Sequence, residues 1–358
     1  MATIKDIADA AGISIGTVDR IIHKRGRYSE RTAEKVRGIM EELNYSPNIH
    51  ARGLKKTKTY SFAAVLPEDQ QDAGYWKMVS AGISRASAEL TSFCGEVLVF
   101  NFDRYSEKSC LRALHAALSS GSDGLLIAPV LPEIMQPLLE QTEIPFLFID
   151  TDIPQMKKCI SFIGQDSYQS GMLSGKLMAM LLFNGMKAGK SDYVMIAEPA
   201  GSNFHIKGRI DGFRSFFDAH LSDLRLKQIS IGTDDEVKFH AVLEEFFSSE
   251  GSRPVGIFAA NSSVYYLASF LKKKGALYSG IPLIGYDLIQ GQECLVEDET
   301  INFILTQQPE EQAHRGIMML YEALVLNQEV RDELIIPLNI ITKENLHTFR
   351  RNDKITSM

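Results

Sequence analysis

The chain has 358 residues, 45% of them hydrophobic, and a formal net charge of −7; that length exceeds one small domain and is ample for a large core, so two or three compact units are expected. No apolar signal segment opens the sequence and no run approaches the roughly 20 apolar residues of a membrane helix, which makes a soluble, cytoplasmic protein with no membrane partner the expectation. The four cysteines, Cys94, Cys110, Cys159 and Cys294, lie far apart, with neither a Cys-x-x-Cys pair nor a His spacing that would hold zinc, and read as buried reduced thiols.

The N-terminal segment is read as three short helices. Ile4, Ile7, Ala8 and Ala11 fall at i, i+3, i+4 and i+7, with Thr3 as a cap and Asp6 helping to close it. Gly12 allows a sharp turn. A second helix from about Ser14 turns Val18, Ile21 and Ile22 inward and puts Ile15, Gly16, Asp19, Arg20 and His23 on one outward face. A third begins at Ser29 as N-cap and buries Val36, Ile39, Met40 and Leu43 before Asn44 and Pro47 end the pattern. This is the layout of a helix-turn-helix, whose second helix enters the DNA major groove, where side chains distinguish all four base pairs. Charge agrees with such a partner: residues 1–60 hold twelve Lys and Arg against seven Asp and Glu, a balance of +5, and the remainder holds 26 against 38, a balance of −12.

Beyond the basic linker Lys55 to Thr59, short apolar runs alternate with helix-length amphipathic segments. The runs are Ser61 to Leu66, Glu96 to Phe100, Leu125 to Ala128, Phe146 to Ile149, Tyr193 to Ala197, Gly256 to Ala260 and Leu283 to Gly285. Such alternation means parallel sheet with helices on both faces. A weak repeat lies within it. Gly124-Leu125-Leu126-Ile127-Ala128-Pro129 echoes Gly256-Ile257-Phe258-Ala259-Ala260-Asn261, and Ile144-Pro145 leading to Asp150 echoes Ile281-Pro282 leading to Asp287 at the same spacing. Two similar α/β halves follow, and because open parallel sheets bind ligands beyond the carboxyl ends of their strands, Asp150 and Asp287 are expected to enter one cleft from opposite sides.

Three stretches carry a family resemblance: Thr3-Ile4-Lys5-Asp6-Ile7-Ala8, Ala11-Gly12-Ile13-Ser14-Ile15-Gly16-Thr17-Val18-Asp19-Arg20 and Leu43-Asn44-Tyr45-Ser46-Pro47-Asn48. Together they resemble the head of the LacI/GalR family of bacterial transcription regulators. The resemblance implies base reading by Ile15, Gly16 and Arg20, with Ser14, Thr17 and His23 near phosphates. Arg20 is the strongest candidate, since a guanidinium bonds both O6 and N7 of guanine. Asp19 stands where relatives usually have Ser; a carboxylate there repels phosphate or accepts from a cytosine amine. Pro47 to Leu54 resembles the family's hinge, with Asn48 and Ala51 on the DNA and Leu54 as an apolar wedge that unstacks a base step in the minor groove.

The body resembles the type 1 periplasmic sugar-binding proteins that such regulators carry as effector domains. By position, the resemblance makes Arg209 in Lys207-Gly208-Arg209-Ile210-Asp211-Gly212-Phe213 a ligand arginine, Asn261 a strand-end amide, Asp150 and Asp287 the two carboxylates, and Gln307 a hinge-side amide. Tyr75 and Trp76 stand where relatives stack a ring on a sugar. Carboxylates, amides and a planar guanidinium suit vicinal hydroxyls. Thr151 after Asp150 and Ser262 after Asn261 depart from residues common in sugar-binding relatives, so a sugar, a sugar acid and a polyol all remain open.

Gly12-Ile13-Ser14-Ile15-Gly16 fits a nucleophile-elbow pattern, but that elbow needs a preceding strand and a helix precedes it here. No Walker loop, dinucleotide glycine signature or H-E-x-x-H is present. No enzyme, cofactor or metal is therefore expected. The expected fold is an all-α helix-turn-helix head at 1–46, a hinge helix and linker at 47–59, and an α/β effector domain at 60–358. That domain is divided into two doubly wound parallel-sheet subdomains, roughly 60–163 with 291–325 and 164–290 with 326–358. The expected protein is a homodimeric, ligand-responsive regulator bound to double-stranded operator DNA, first a repressor released by an inducer, with activation or corepression also open. The rival from another class is a transport-type sugar-binding protein.

Overall fold

The computed structural model describes residues 4–22, 26, 28–43, 59–183, 192–201, 204–250 and 253–349. The chain forms two units, Met1–Lys58 and Thr59–Met358.

The head holds helices α1 (Ile4–Ala11), α2 (Ile15–Ile22) and α3 (Glu30–Glu42). Their spacing of apolar residues builds one small core of Ile7, Ala8, Ala11, Val18, Ile21, Ala33 and Val36, with Ile22, Ile39 and Met40 half-buried around it. Gly12 takes φ 67°, which lets the chain leave α1 and start α2 within three residues. Both later helices are capped by serine: Ser14 Oγ accepts from Thr17 N at 3.2 Å and Ser29 Oγ from Thr32 N at 3.2 Å. Lys35 Nζ donates to the Ala11 carbonyl at 2.9 Å, meeting a carbonyl that the end of α1 leaves unpaired. Leu43 differs from expectation: it lies just past the end of α3 and is 39% exposed. The expected cap Thr3 and the hinge from Pro47 to Leu54 lie outside the described residues.

The body contains two six-stranded sheets. The first is built from β1 (Tyr60–Pro67), β2 (Gly95–Phe102), β3 (Gly124–Ile127), β4 (Phe146–Ile149), β5 (Cys159–Gly164) and β11 (Glu333–Ile335), in the order β11-β5-β4-β3-β1-β2, all parallel. The second is built from β6 (Tyr193–Pro199), β7 (Arg225–Ile231), β8 (Gly256–Ala259), β9 (Leu283–Tyr286), β10 (Phe303–Thr306) and β12 (Asn339–Ile341). Its order is β12-β10-β9-β8-β6-β7, parallel except for the edge strand β12. Every residue of β3, β4, β8 and β9 is buried, as expected for strands roofed by helices on both faces.

Helices α4 (Tyr75–Thr91), α5 (Glu107–Leu118), α6 (Pro132–Leu139) and α12 (Pro309–Leu324) cover the first sheet. Helices α7 (Ser167–Phe183), α8 (Phe204–His220), α9 (Glu236–Glu250) and α10 (Val264–Lys274) cover the second, and the single turn α11 (Cys294–Glu297) links β9 to β10. This confirms the two doubly wound lobes read from the repeat.

The chain divides between the lobes differently from the expected subdomains. Residues 291–325 were placed with the first lobe, where α12 does lie, yet β10 pairs with β9 in the second, Phe303 opposite Ile284. Residues 326–358 were placed with the second, where β12 does pair with β10, yet β11 pairs with β5 in the first, Glu333 opposite Phe162. The strands concerned are only three or four residues long, so sheet pairing rather than a local pattern decides their lobe. The connections after β5, after β10 and between β11 and β12 all cross between lobes. They are tied to one another: Gln165 Nε2 donates to the Thr306 carbonyl at 3.0 Å, and Gln308 Nε2 to the Pro337 carbonyl at 3.2 Å.

All four cysteines are free thiols, but only Cys110 is buried; Cys159 is half-buried, and Cys94 and Cys294 are exposed, contrary to expectation. Both exposed ones flank turns, Cys94 before β2 with φ 56° and Cys294 at the start of α11. Among the described residues no helix is long and apolar enough to cross a membrane, and no group of three or more His, Cys, Asp or Glu is arranged to hold a metal.

Candidate functional site

Helix α2 turns Val18 and Ile21 into the head's core, which leaves Ile15, Gly16, Asp19 and Arg20 exposed. Ile15, 51% exposed, is an apolar side chain with no partner in its own core. Arg20 Nε donates to the Gly16 carbonyl at 3.0 Å, laying the guanidinium along the outward face of α2. Ser14 and Thr17 share a hydroxyl hydrogen bond of 2.9 Å in addition to the cap. His23, Asn48, Ala51 and Leu54, also expected at DNA, lie outside the described residues.

In the body, the carboxyl ends of both sheets meet at a cleft. All seven residues expected there line it: Tyr75, Trp76, Asp150, Arg209, Asn261, Asp287 and Gln307. Asp150 follows β4 with φ 69° and Asp287 follows β9 with φ 58°, so each leaves its strand through a left-handed turn that carries the carboxylate into the cleft. Tyr75, at the first turn of α4, donates its hydroxyl to Asp150 Oδ1 at 2.8 Å. Gln307 holds Asp287 with two donors, its backbone N to Oδ1 at 3.1 Å and Nε2 to Oδ2 at 2.9 Å.

Arg209 reaches the cleft because α8 lies unusually close to α7: a Cβ on Gly171 would stand 2.0 Å from the Arg209 carbonyl oxygen, and one on Gly212 would stand 2.0 Å from that of Tyr168. The guanidinium sits 3.8 Å from the centre of the Tyr286 ring and donates Nη1 to the Ala260 carbonyl at 2.9 Å and Nη2 to Gln307 Oε1 at 2.7 Å. Gln312 ties the two carboxylate neighbourhoods together, accepting from Asp150 N at 3.0 Å and donating to the Gln307 carbonyl at 2.8 Å.

The cleft also holds groups that the sequence reading did not select. Asp72 opens a run of three left-handed residues, with φ 51°, 58° and 93° at Asp72, Ala73 and Gly74. Its carboxylate accepts from Trp76 Nε1 at 2.7 Å, from Arg104 Nη1, and from Asn261 Nδ2 at 3.2 Å. Its carbonyl accepts from Ser262 Oγ at 2.5 Å, and its N–H donates to Asp234 Oδ2 at 3.2 Å. Asp72 thus joins the lobes, since Asn261, Ser262 and Asp234 belong to the second. His205, one turn before Arg209 on α8, is buried; its Nε2 lies 3.8 Å from Asp150 Oδ2 and its Nδ1 has no partner. The four-residue spacing of His205 and Arg209 places both on one helix face and is the signal that would have found it. Asp72 and Arg104 stand in irregular loops, where periodicity carries no signal.

Burial sets the protonation of this site. It lifts Asp150 and Asp287 to about 6 against the opposing pull of Arg209. It also holds His205 well below its usual range, helped by Arg209 and Arg104, so that the imidazole is neutral. Arg104, although buried, is kept charged by the adjacent Asp72. Tyr75 is pushed up by burial and then by Asp150, and remains a donor. The cleft encloses about 310 Å³ counting its mouth, at the small end of ligand sites. The arrangement, three carboxylates and two guanidiniums with amides between them, is suited to multiple hydrogen bonds with a small polar molecule and contains no nucleophile set against a base.

This fold and cleft define a two-lobed binding domain joined to a helix-turn-helix head. Residues 63–328 match the model of the periplasmic binding protein domain family, and the chain belongs to that family. Its residues 3–48 match the model described as bacterial regulatory proteins, lacI family. The HTH-type transcriptional regulator MalR of Streptococcus pneumoniae is 31% identical over 47% of this chain and 51% of its own; the chain spans about half the length of this curated relative. Among solved structures, a putative LacI transcriptional regulator from Bacteroides fragilis superposes with a TM-score of 0.71 at 26% identity, over 81% of this chain and 99% of its own. The Lac repressor dimer bound to operator and an anti-inducer shares the fold, with a TM-score of 0.63 at 21% identity over 95% of this chain and 98% of its own.

Proposed function

We propose that this chain is a sequence-specific DNA-binding transcription regulator whose affinity for its operator is set by a small polyhydroxyl effector in the cleft. The observation that carries this is the union, in one chain, of a head matching the lacI family with an enclosed polar cleft between two lobes. On DNA, Ile15, Gly16 and Arg20 read base edges and Ser14 and Thr17 approach phosphates, with His23, Asn48, Ala51 and Leu54 completing the contact. In the cleft, Asp150, Asp287, Arg209, Asn261 and Gln307 hold the effector and Tyr75 and Trp76 wall it in. The protein works as a homodimer, each head on one half of a near-palindrome. Effector changes the relative orientation of the lobes and, through the hinges, the spacing of the paired heads. MalR and the Bacteroides fragilis regulator, both named as transcription regulators, support this reading over a transport-type binding protein, which has no use for α2.

Selection of the full chain on a random duplex pool is expected to return a two-fold symmetric site. Arg20→Ala is then expected to relax discrimination at one position per half-site at a cost of about 1–3 kcal/mol. An unenriched pool contradicts the proposal, and uniform weakening on all sequences makes Arg20 a phosphate contact.

A further inference from the structure

On the proposed reading of the chain as an effector-driven switch, contacts that join the lobes without effector set where the movement starts. Asp72 makes such contacts, and its polar atoms divide by lobe. Oδ2 belongs to the first lobe, where it accepts from Trp76 Nε1 at 2.7 Å and from Arg104 Nη1. The others reach across: Oδ1 accepts from Asn261 Nδ2 at 3.2 Å, the carbonyl oxygen accepts from Ser262 Oγ at 2.5 Å, and the N–H donates to Asp234 Oδ2 at 3.2 Å.

These partners lie on successive loops at the carboxyl end of the second sheet, Asp234 between β7 and α9, Asn261 and Ser262 between β8 and α10. The loop after β9 meets the same turn: a Cβ on Gly74 would stand 3.9 Å from Ile289 Cγ2. Asp72 and Ala73 hold left-handed φ of 51° and 58°, which residues with a side chain keep only where surrounding contacts fix them. The backbone of Asp72 is fixed from the other lobe, by Ser262 and Asp234. Water replaces these bonds when the lobes part, so each adds only modestly, but the set lies on one loop and is made or lost together. Every partner is a protein group, and Asp150, Asp287, Arg209 and Gln307 take no part, so the contact operates with no effector bound. Asn261 is the shared member: one N–H of Nδ2 goes to Asp72, and the second remains for an effector.

We propose that the Asp72 loop is an interlobe latch, which draws the two lobes closed in the absence of effector and so sets the operator affinity from which the effector acts. Latch and effector pull the same way, since each gains its contacts only with the lobes together.

The chain's single tryptophan reports on the latch directly, because Trp76 is 1% exposed, lines the cleft and donates to Asp72. The test is acrylamide quenching of Trp76 in the full chain, for the parent, Ser262→Ala, Asp234→Ala and the double variant, with circular dichroism and thermal unfolding to establish that each is folded. These substitutions leave the bonds of Asp72 to Arg104 and Trp76 in place. The quenching constant is expected to rise about twofold or more in each single variant, and further in the double variant, as closed molecules are lost. Asp234→Asn keeps an oxygen for the Asp72 N–H and is expected to stay at the parent value. A folded double variant quenched like the parent overturns the proposal.

The selected operator duplex supplies the second reading. If operator raises quenching in the parent, the latch variants bind it more tightly, and if operator lowers quenching they bind it more weakly, by about threefold or more, because the coupling is reciprocal. A merely loosened loop would not move operator affinity, and a change of the opposite sign overturns the proposal. Operator that leaves the parent's quenching unchanged, while quenching of the variants rises, supports the latch and contradicts instead the coupling of cleft to head on which the proposed function rests.

Discussion

Asp287 is held by two donors of Gln307 within its own lobe, whereas Asp150 has one fixed donor, Tyr75, and otherwise faces His205 and Arg209 across the cleft. The two residues sit at equivalent strand ends, both in left-handed turns, both buried and both lifted to about 6. Their difference shows that Asp287 is fixed by the residue that directly follows its neighbouring strand β10, while the first lobe's carboxylate also depends on groups that approach it from the other lobe. A ligand that bridges them is thereby coupled to the angle between the lobes, which is what an effector-driven switch requires.

The comparison breaks most severely if the one cation that both carboxylates face is removed. Arg209→Met leaves two buried carboxylates without that cation and strips a donor from Gln307 and from the Ala260 carbonyl. A loss of about 3–5 kcal/mol in urea unfolding is expected, together with loss of effector binding. A loss below about 1 kcal/mol would mean that the guanidinium does not hold the two sites together.

The two aspartates are separated by their isosteric amides. Asp287→Asn sets an amide N–H against a Gln307 donor and is expected to cost about 1–3 kcal/mol of stability. Asp150→Asn still accepts from Tyr75, so it is expected to spare stability while weakening effector binding about as much. Equal losses of stability by denaturant titration would erase the distinction.

The same two carboxylates also set a dependence on pH. The folded values of Asp150 and Asp287, about 6, lie above the unfolded value of 3.8, so between those limits the native state holds protons that the unfolded state has released. These groups therefore lower stability as pH rises from about 4 to about 6, with a slope approaching about 1.4 kcal/mol per pH unit for each, and add no further slope above that window. Calorimetry of the parent and the two amide variants from pH 4 to 7 is expected to show each variant losing its share of that slope. Effector affinity moves the opposite way, rising over the same window as the carboxylates become acceptors; affinity that falls there would contradict their role in binding.

Much of this was legible in the sequence for identifiable reasons. The head was read correctly because its core residues recur at helical spacing, and the exception, Leu43, lies where the third helix has already ended. Strands β1, β3, β4, β6, β8 and β9 announce themselves as apolar runs because both faces are covered, and the edge strand β2 was read from Glu96 to Phe100 although it is half exposed. The edge strand β7, half exposed along Arg225 to Ile231, does not. Asp150 and Asp287 were visible through a repeat in sequence, whereas Asp72 was not, because its place depends on three left-handed residues and on partners 162 to 190 positions away. Ser262 stood out only as a departure from relatives, and the structure gives it a partner in the Asp72 carbonyl. Thr151, the other departure, is buried with its hydroxyl unpartnered.

The central claim is that cleft and head are thermodynamically coupled. The most direct measurement is fluorescence anisotropy of the full chain on its selected operator duplex, with and without the sugar giving the largest thermal shift, paired with calorimetry of that sugar with and without the duplex. Linkage requires the two affinity ratios to be equal, and a coupling of about 5- to 150-fold is expected. A sugar that binds the cleft tightly while the operator Kd stays unchanged would contradict it.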